Sequence, residues 1–411
     1  MLQPECRRGA AARRVLRCAD CPSMLRLWRT PLVDHLRGLQ YGIDGGSPMQ
    51  GIIRFYLAIC VVHAHILHHG AITGFPNPIA WMAISSAHAV MCFFVISGFF
   101  AFYQLDRYFS SDNTVDVRSY YRDRLLRIYP TYIAVIFLCA PIYFLVVPWS
   151  ASVDISKLGD LARSIAYNFF PPAFDLGLMW SEFHAFEFVI LPPSWSTGNE
   201  MIFYLLAPAL LALWPINKIL LPIIMLAILA LDEAWHPVSD FVRYVNPAAN
   251  MKFFILGGIC YFLYNAASAY IRPSLWYLPL FTVGLILAGH YTSPLLIDKY
   301  DWFTYLFCAS FAIFLMTTFA MVPKSRVDAL IGNIAYPLFL VHVPVIELLK
   351  TGKLSPHNLY AASFALSISA SIIVYLTVES RSEFYRRSSR RPNSFDEVGD
   401  LAIAATGMRR S

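Results

Sequence analysis

Arg54 and His65 stand eleven positions apart in an apolar run that opens at Gly51 and closes on His68-His69. In a helix that spacing is three turns plus about 20°, so the two share one face, roughly 16 Å apart along the axis. Ala58 and His68 fall close to the same stripe, whereas His63 points the opposite way. Arginine grips an anion as a bidentate fork, and a neutral imidazole can take a proton from a hydroxyl. A cation near one end of the helix, with a titratable ring deep on the same face, suits a two-ended site. The competing reading is that Arg54 snorkels to the interface and the histidines hydrogen-bond to neighbouring helices.

Further along the chain are other groups able to do chemistry. Arg122, Arg124 and Arg127 precede Tyr129-Pro130 and form a basic cluster suited to phosphates; loop topology alone would also put arginines there. Glu200, in Trp195-Ser196-Thr197-Gly198-Asn199-Glu200, could orient a histidine or hold a sugar hydroxyl. As a first-turn acid it is also simply favoured by the helix dipole. His342 lies in the middle of a late apolar run, at a depth comparable to His65. Ser97-Gly98 is a small pair that permits close helix approach, and packing is its expected role.

These residues must be positioned by membrane-spanning helices. The chain has 411 residues, 57% hydrophobic and only 14% charged, against about 25% charged for a soluble domain. Apolar runs of roughly 20 residues recur, the length that crosses about 30 Å of hydrocarbon. An ionisable side chain placed there costs at least ~2.5 kcal/mol and usually lines a cavity or pathway, which is why the few polar residues inside the runs carry the information. The expected fold is an all-α integral membrane protein of about ten transmembrane helices, near 51–69, 79–105, 128–148, 197–214, 217–232, 249–265, 275–291, 302–321, 329–349 and 358–379. The long connection 149–196, rich in Pro, Trp and Phe, is expected to lie on the membrane surface or dip into it.

Lysine and arginine in the short loops set the orientation. Arg118, Arg122, Arg124 and Arg127 share one loop, and Arg381, Arg386, Arg387, Arg390 and Arg391 share the tail, while the first loop on the other side, 70–78, has neither residue type. Both termini are therefore expected to be cytoplasmic. The net charge of +6 is spread between and after the apolar runs and is no argument for nucleic acid. Cys60, Cys92, Cys139, Cys260 and Cys308 fall inside apolar runs, where they behave as small hydrophobes. Cys18-Ala19-Asp20-Cys21 lacks the second pair that a zinc site needs, so no metal is expected. Residues 1–48, arginine-rich and unpatterned, read as a basic extension or as sequence upstream of a true start at Met49; 49–381 form the membrane domain and 382–411 a basic cytoplasmic tail.

From Met49 to about Arg381 the chain resembles the acyltransferase-3 family of integral membrane acyltransferases. The resemblance rests on Arg54 and His65 with ten residues between; on Phe93-Phe94-Val95-Ile96-Ser97-Gly98-Phe99; on Arg124 and Arg127; on Trp195-Ser196 followed by Glu200 and Phe203-Tyr204; and on Gly332, Tyr336, Leu340, His342 and Pro344 in one late helix. The chain departs from many relatives at Met91-Cys92, where an acid commonly precedes the double Phe, and after Glu379, where the usual proline is missing.

The resemblance implies a multi-pass protein of the bacterial inner membrane that O-acylates a saccharide or glycolipid near the outer leaflet, alongside polysaccharide-biosynthesis proteins. It implies acyl-CoA, most often acetyl-CoA, as a donor substrate from the cytoplasm and no permanently bound cofactor. Arg54, Arg122, Arg124 and Arg127 would bind the CoA phosphates, His65 would act as general base or acyl relay, and Glu200 and His342 would line the acceptor side. A proton-coupled transporter or flippase would use the histidines and Glu200 as a relay instead, but the internal repeats common in transporters are not evident.

Overall fold

The computed structural model describes residues 50–70, 84–105, 108, 116–146, 157–212, 217–234, 240–267, 302–321 and 325–388. Helices follow in the order α1 (Gln50–His69), α2 (Ser86–Leu105), α3 (Val117–Val146), α4 (Leu158–Phe169), α5 (Pro171–Ser181), α6 (Ser194–Ala212), α7 (Asn217–Ala234), α8 (Asp240–Val245), α9 (Pro247–Ala267), α10 (Trp302–Met321), α11 (Arg326–Lys350), α12 (Pro356–Val374) and α13 (Ser380–Ser388). A 3-10 turn covers Glu182–Phe188, a π turn covers Tyr375–Glu379, and no strand occurs among the described residues. Every predicted span that falls among them is helical. The seventh, 275–291, lies outside them, as do residues 1–48 with Cys18 and Cys21, residues 71–83 and those beyond Ser388.

Five stretches among the described residues are long and apolar enough to cross a membrane: Gln50–His69, Ser86–Leu105, Val117–Ile142, Val327–Lys350 and Pro356–Arg386. This is fewer than the ten expected. In α6 and α9 the apolar run is broken by Asn199 and Glu200 and by Asn250 and Lys252, and the apolar stretches Ile219–Leu231 and Thr304–Phe319 are shorter.

α2 is apolar on all sides and therefore sits inside the bundle; Ala89, Cys92, Val95, Phe99 and Phe102 are fully buried. Cys60, Cys92, Cys139, Cys260 and Cys308 are likewise buried, and none forms a disulfide among the described residues. Two glycine contacts set the helix crossings. A Cβ on Gly98 of α2 would overlap the Phe254 backbone of α9, and one on Gly332 of α11 would overlap Gly51 of α1. Close backbone approach through small residues is the main route to tight packing where lipid gives no hydrophobic drive.

At the same end of α1, the Asp328 carboxylate accepts from the backbone N–H of Gly51 (3.0 Å) and Ile52 (2.8 Å). It thereby satisfies donors that a helix N-terminus otherwise leaves open. Ser325 caps α11 in turn, accepting from the Asp328 N–H.

The connection after α3 is anchored by Asn168. Its amide donates to the carbonyls of Ser164 (2.8 Å) and Phe188 (2.6 Å), its Oδ1 accepts from the Ile190 N–H (2.7 Å), and its own carbonyl accepts from the Tyr132 hydroxyl (2.8 Å). Tyr132 is in the middle of α3, so this connection returns into the bundle. A second knot fixes the start of α6. Asn199 donates to Asp175 Oδ2 (3.0 Å) and the Val245 carbonyl (3.0 Å), and Asn250 donates to Asn199 Oδ1 (3.0 Å). Burial pushes the Asp175 carboxyl well above the usual carboxylate range.

Candidate active site

α1, α2, α3, α6, α11 and α13 enclose a cavity of about 190 Å³. Its cations are Arg54 from α1, Arg124 and Arg127 from α3 and Arg386 from α13. Most of them have a carboxylate at hand. Arg127 donates to Glu379 Oε1 at 2.6 Å, with Thr131 3.4 Å from the other oxygen. Arg124 pairs with Asp123 and its guanidinium lies over the rings of Tyr204 (5.2 Å) and Tyr120 (5.7 Å). Arg386 pairs with Glu383 and approaches Asp123 Oδ1 at 3.9 Å. Arg54 differs: it lies 5.0 Å from the centroid of Phe100 and makes no ion pair among the described residues. A guanidinium on a cavity wall that no carboxylate holds in a direct ion pair is a ready partner for an anion.

The side chain of Gln50, on the same wall, is buried with neither amide atom hydrogen-bonded among the described residues. Buried polar groups are nearly always paired, so such an orphan points to a polar ligand. Glu200 also lines the cavity, accepting from Ser97 Oγ (2.7 Å) and from the Tyr204 hydroxyl.

The histidines form a separate group. His65 Nδ1 and His342 Nε2 are 2.7 Å apart, with the rings stacked at 4.9 Å and 23°. His342 is fully buried and His65 partly exposed. His69 meets the edge of the His65 ring at 5.5 Å and places Nδ1 3.2 Å from Glu347, which pairs with Lys350 at 2.9 Å. The file thus leads from the buried pair to the C-terminal ends of α1 and α11. On the other side Phe339 lies 6.0 Å from the His342 ring and 6.1 Å from Phe93. Both phenylalanines line the cavity, whereas neither His65 nor His342 does. A phenylalanine layer therefore separates the arginine cavity from the histidine pair. His63 points away and bonds the Tyr360 hydroxyl at 2.8 Å, as its position on the helix requires.

The structure gathers Arg54, Arg124, Arg127 and Glu200 around one cavity and brings His65 and His342 into contact beside it. Two residues stand elsewhere than the sequence reading put them. Arg122 is exposed and off the cavity, because residues two apart on a helix point about 200° from one another. Glu200 stands among the arginines rather than beside His342, because the Asn199 knot sets the start of α6 at the depth of Ser97. Sequence reasoning missed Gln50, Asp328, Glu379 and Arg386. Glu379 could have been found, as an acid at the end of an apolar run. Arg386 was counted only as tail charge, and the cavity role of Asp328 depends on α11 meeting α1.

A family model for the acyltransferase domain of the acyltransferase-3 type matches residues 51–377. No curated protein and no solved structure matches the chain.

Proposed function

The chain belongs to the acyltransferase-3 family, and we propose that it moves an acyl group, acetyl in the first instance, from acyl-CoA to a hydroxyl of a saccharide. The acceptor would be lipid-linked or part of a surface polysaccharide, and the membrane the bacterial inner membrane. The observation that carries this reading is the placement of an arginine-lined cavity one phenylalanine layer from a hydrogen-bonded histidine pair.

In this reading Arg54 takes an oxygen of the CoA phosphates, and Arg124 and Arg127 hold the rest. His65 Nδ1–H donates to His342 Nε2, which leaves His65 Nε2 with a lone pair. The acceptor hydroxyl gives its proton to that nitrogen as its oxygen bonds to the thioester carbonyl carbon. The C–S bond breaks, and the imidazolium returns the proton to the departing thiolate. The products are an ester and free CoA thiol, with no net proton exchanged.

The test is the O-acetyl content of surface polysaccharide in cells lacking the protein, complemented with wild type or with His65→Ala at equal abundance. Restoration by wild type alone supports the reading. Restoration by both removes His65 from the chemistry, and no change in any acyl ester on deletion counts against a polysaccharide acceptor. One observation favours a second reading: the file from His342 through His65 and His69 to Glu347 has the form of a proton relay. A gradient-driven substrate flux independent of acyl-CoA would support the transporter.

A further inference from the structure

The cavity has two ends of opposite character. Arg54, Arg124, Arg127 and Arg386 occupy one; Val90, Phe93, Phe94, Ala335 and Phe339 make the other, on the side of the histidines. One stripe of α11 joins them. Gly332, Ala335, Phe339 and His342 recur at helical spacing, so the stripe runs from the glycine contact beside Asp328 to the buried histidine, about 15 Å along the axis.

The phenylalanines at the apolar end are held differently. Phe94 is wedged: its ring stacks on Phe254 at 4.6 Å and meets Trp195 at 6.3 Å, while Phe254 stacks on Phe203 at 4.6 Å. Phe93 is only partly buried and its ring meets Phe339, which in turn meets His342. These two rings form the ceiling between the cavity and the reacting pair. A donor whose phosphates lie at the arginines must pass its thioester between these two rings to reach His65, which brings its acyl group against them.

We propose that Phe93 and Phe339 determine acyl-chain length: their rings close the apolar end of the donor cavity and admit only a short acyl group next to the histidine pair. This rests on the acyl-CoA reading above. An apolar pocket discriminates by about 10–200-fold per methylene, so the ceiling gives a steep limit without any polar contact to the acyl group. Phe93 and Phe339 act here by touching the substrate's apolar part, not by taking or giving a proton.

The experiment measures kcat/KM for acetyl-, propionyl-, butyryl- and hexanoyl-CoA with detergent-solubilised wild type, Phe93→Leu, Phe339→Leu and Val90→Leu, using a saccharide acceptor. Ratios between donors are taken within one preparation, so a partly unfolded variant changes all four values alike and leaves the ratios untouched. The expected result is a butyryl-to-acetyl ratio raised at least ~10-fold by Phe93→Leu or Phe339→Leu, and a propionyl-to-acetyl ratio lowered by Val90→Leu, which adds bulk at the same end. Unchanged ratios in all three variants, with wild type active, overturn the inference and leave the acyl-CoA reading standing. If wild type transfers no acyl group from any of the four, the donor reading falls and the inference with it. Should the Phe variants lose all turnover, the Val90→Leu ratio decides the question.

Discussion

At the scale of single residues, the His65–His342 hydrogen bond holds one proton between two nitrogens, and the function depends on which nitrogen carries it. If His342 Nε2 carried it, His65 would accept at Nδ1, its own proton would sit on Nε2, and no lone pair would face an acceptor. The proposed chemistry therefore needs His342 as an acceptor that fixes the His65 tautomer, the usual work of a group behind a catalytic imidazole. His342→Gln keeps an acceptor oxygen on the buried side, whereas His342→Ala leaves none. Acetyl transfer at equal protein abundance is expected to fall by about 10²-fold or more in His342→Ala and in His65→Ala, the range of general-base contributions. His342→Gln should retain a measurable part of it with the donor KM unchanged. Equal losses in Gln and Ala would sink the tautomer argument.

Glu200 offers a second test at this scale. As a carboxylate beside Arg54, Arg124 and Arg127, it weakens the pull on an anionic donor. Glu200→Gln should lower the KM for acetyl-CoA by a few-fold and leave the acceptor KM alone, whereas an acceptor-binding Glu200 would show the reverse. The shared face of Arg54 and His65 was legible in the sequence because it depends only on the helical repeat. The His65–His342 contact was legible only as a matching depth, since the packing of α1 on α11 joins residues |i−j| = 277 apart.

At the scale of elements, the site depends on two backbone contacts that bring helices closer than side chains would allow. Gly51 against Gly332 holds α1 to α11, and with it the Asp328 cap, Arg54 and the histidine pair; Gly98 and Gly257 hold α2 to α9. Gly332→Val must push the two backbones apart, and overpacking of this kind costs about 1–3 kcal/mol or more. We expect it to lower the thermal midpoint in detergent and to abolish acetyl-CoA binding together. Gly159→Ala is the control: a Cβ at Gly159, in the first turn of α4, meets nothing within 4 Å, and alanine is no worse a helix former there than glycine. Its midpoint and activity should be at least those of wild type. Ser97-Gly98 was readable as a packing pair, and Gly98 indeed packs, but the hydrogen bond from Ser97 to Glu200 was not readable, because the depth of α6 is set by the connection before it.

That connection shows the same limit. Its composition indicated a segment on or in the membrane surface, and α4 presents Leu158, Leu161, Ile165 and Phe169, all exposed, along one helical face suited to lipid. The knots at Asn168 and Asn199, however, use amides whose partners are carbonyls and carboxylates from distant segments. Nothing in residue type or local spacing distinguishes such an asparagine from one in a loop.

At the scale of the whole molecule, the arginine cavity and the open end of the histidine file lie at opposite ends of the same helices. Gln50 and Arg54 open α1 and His69 closes this helix of 20 residues, a length of about 30 Å and so the thickness of the hydrocarbon. On the proposed reading the donor is acyl-CoA, a polyanionic solute that cannot cross a bilayer unaided, and the cavity would then have to open to the compartment that holds it. The loop arginines point the same way: Arg118, Arg122, Arg124 and Arg127 begin α3 at the cavity end, and Arg386 and Arg387 lie on α13. The lone turn described between α11 and α12, with Lys353 exposed at φ 50°, belongs to the other end. Alkaline phosphatase fused after Lys353 should be active and a fluorescent-protein fusion there dark; the same pair fused after Ser388 should give the opposite result. The reversed pattern would place the arginine cavity outside the cell, away from any pool of acyl-CoA. The anion at Arg54 would then have to be an extracytoplasmic one, and the histidine file would lead into the cytoplasm, an arrangement that serves proton movement rather than acyl transfer.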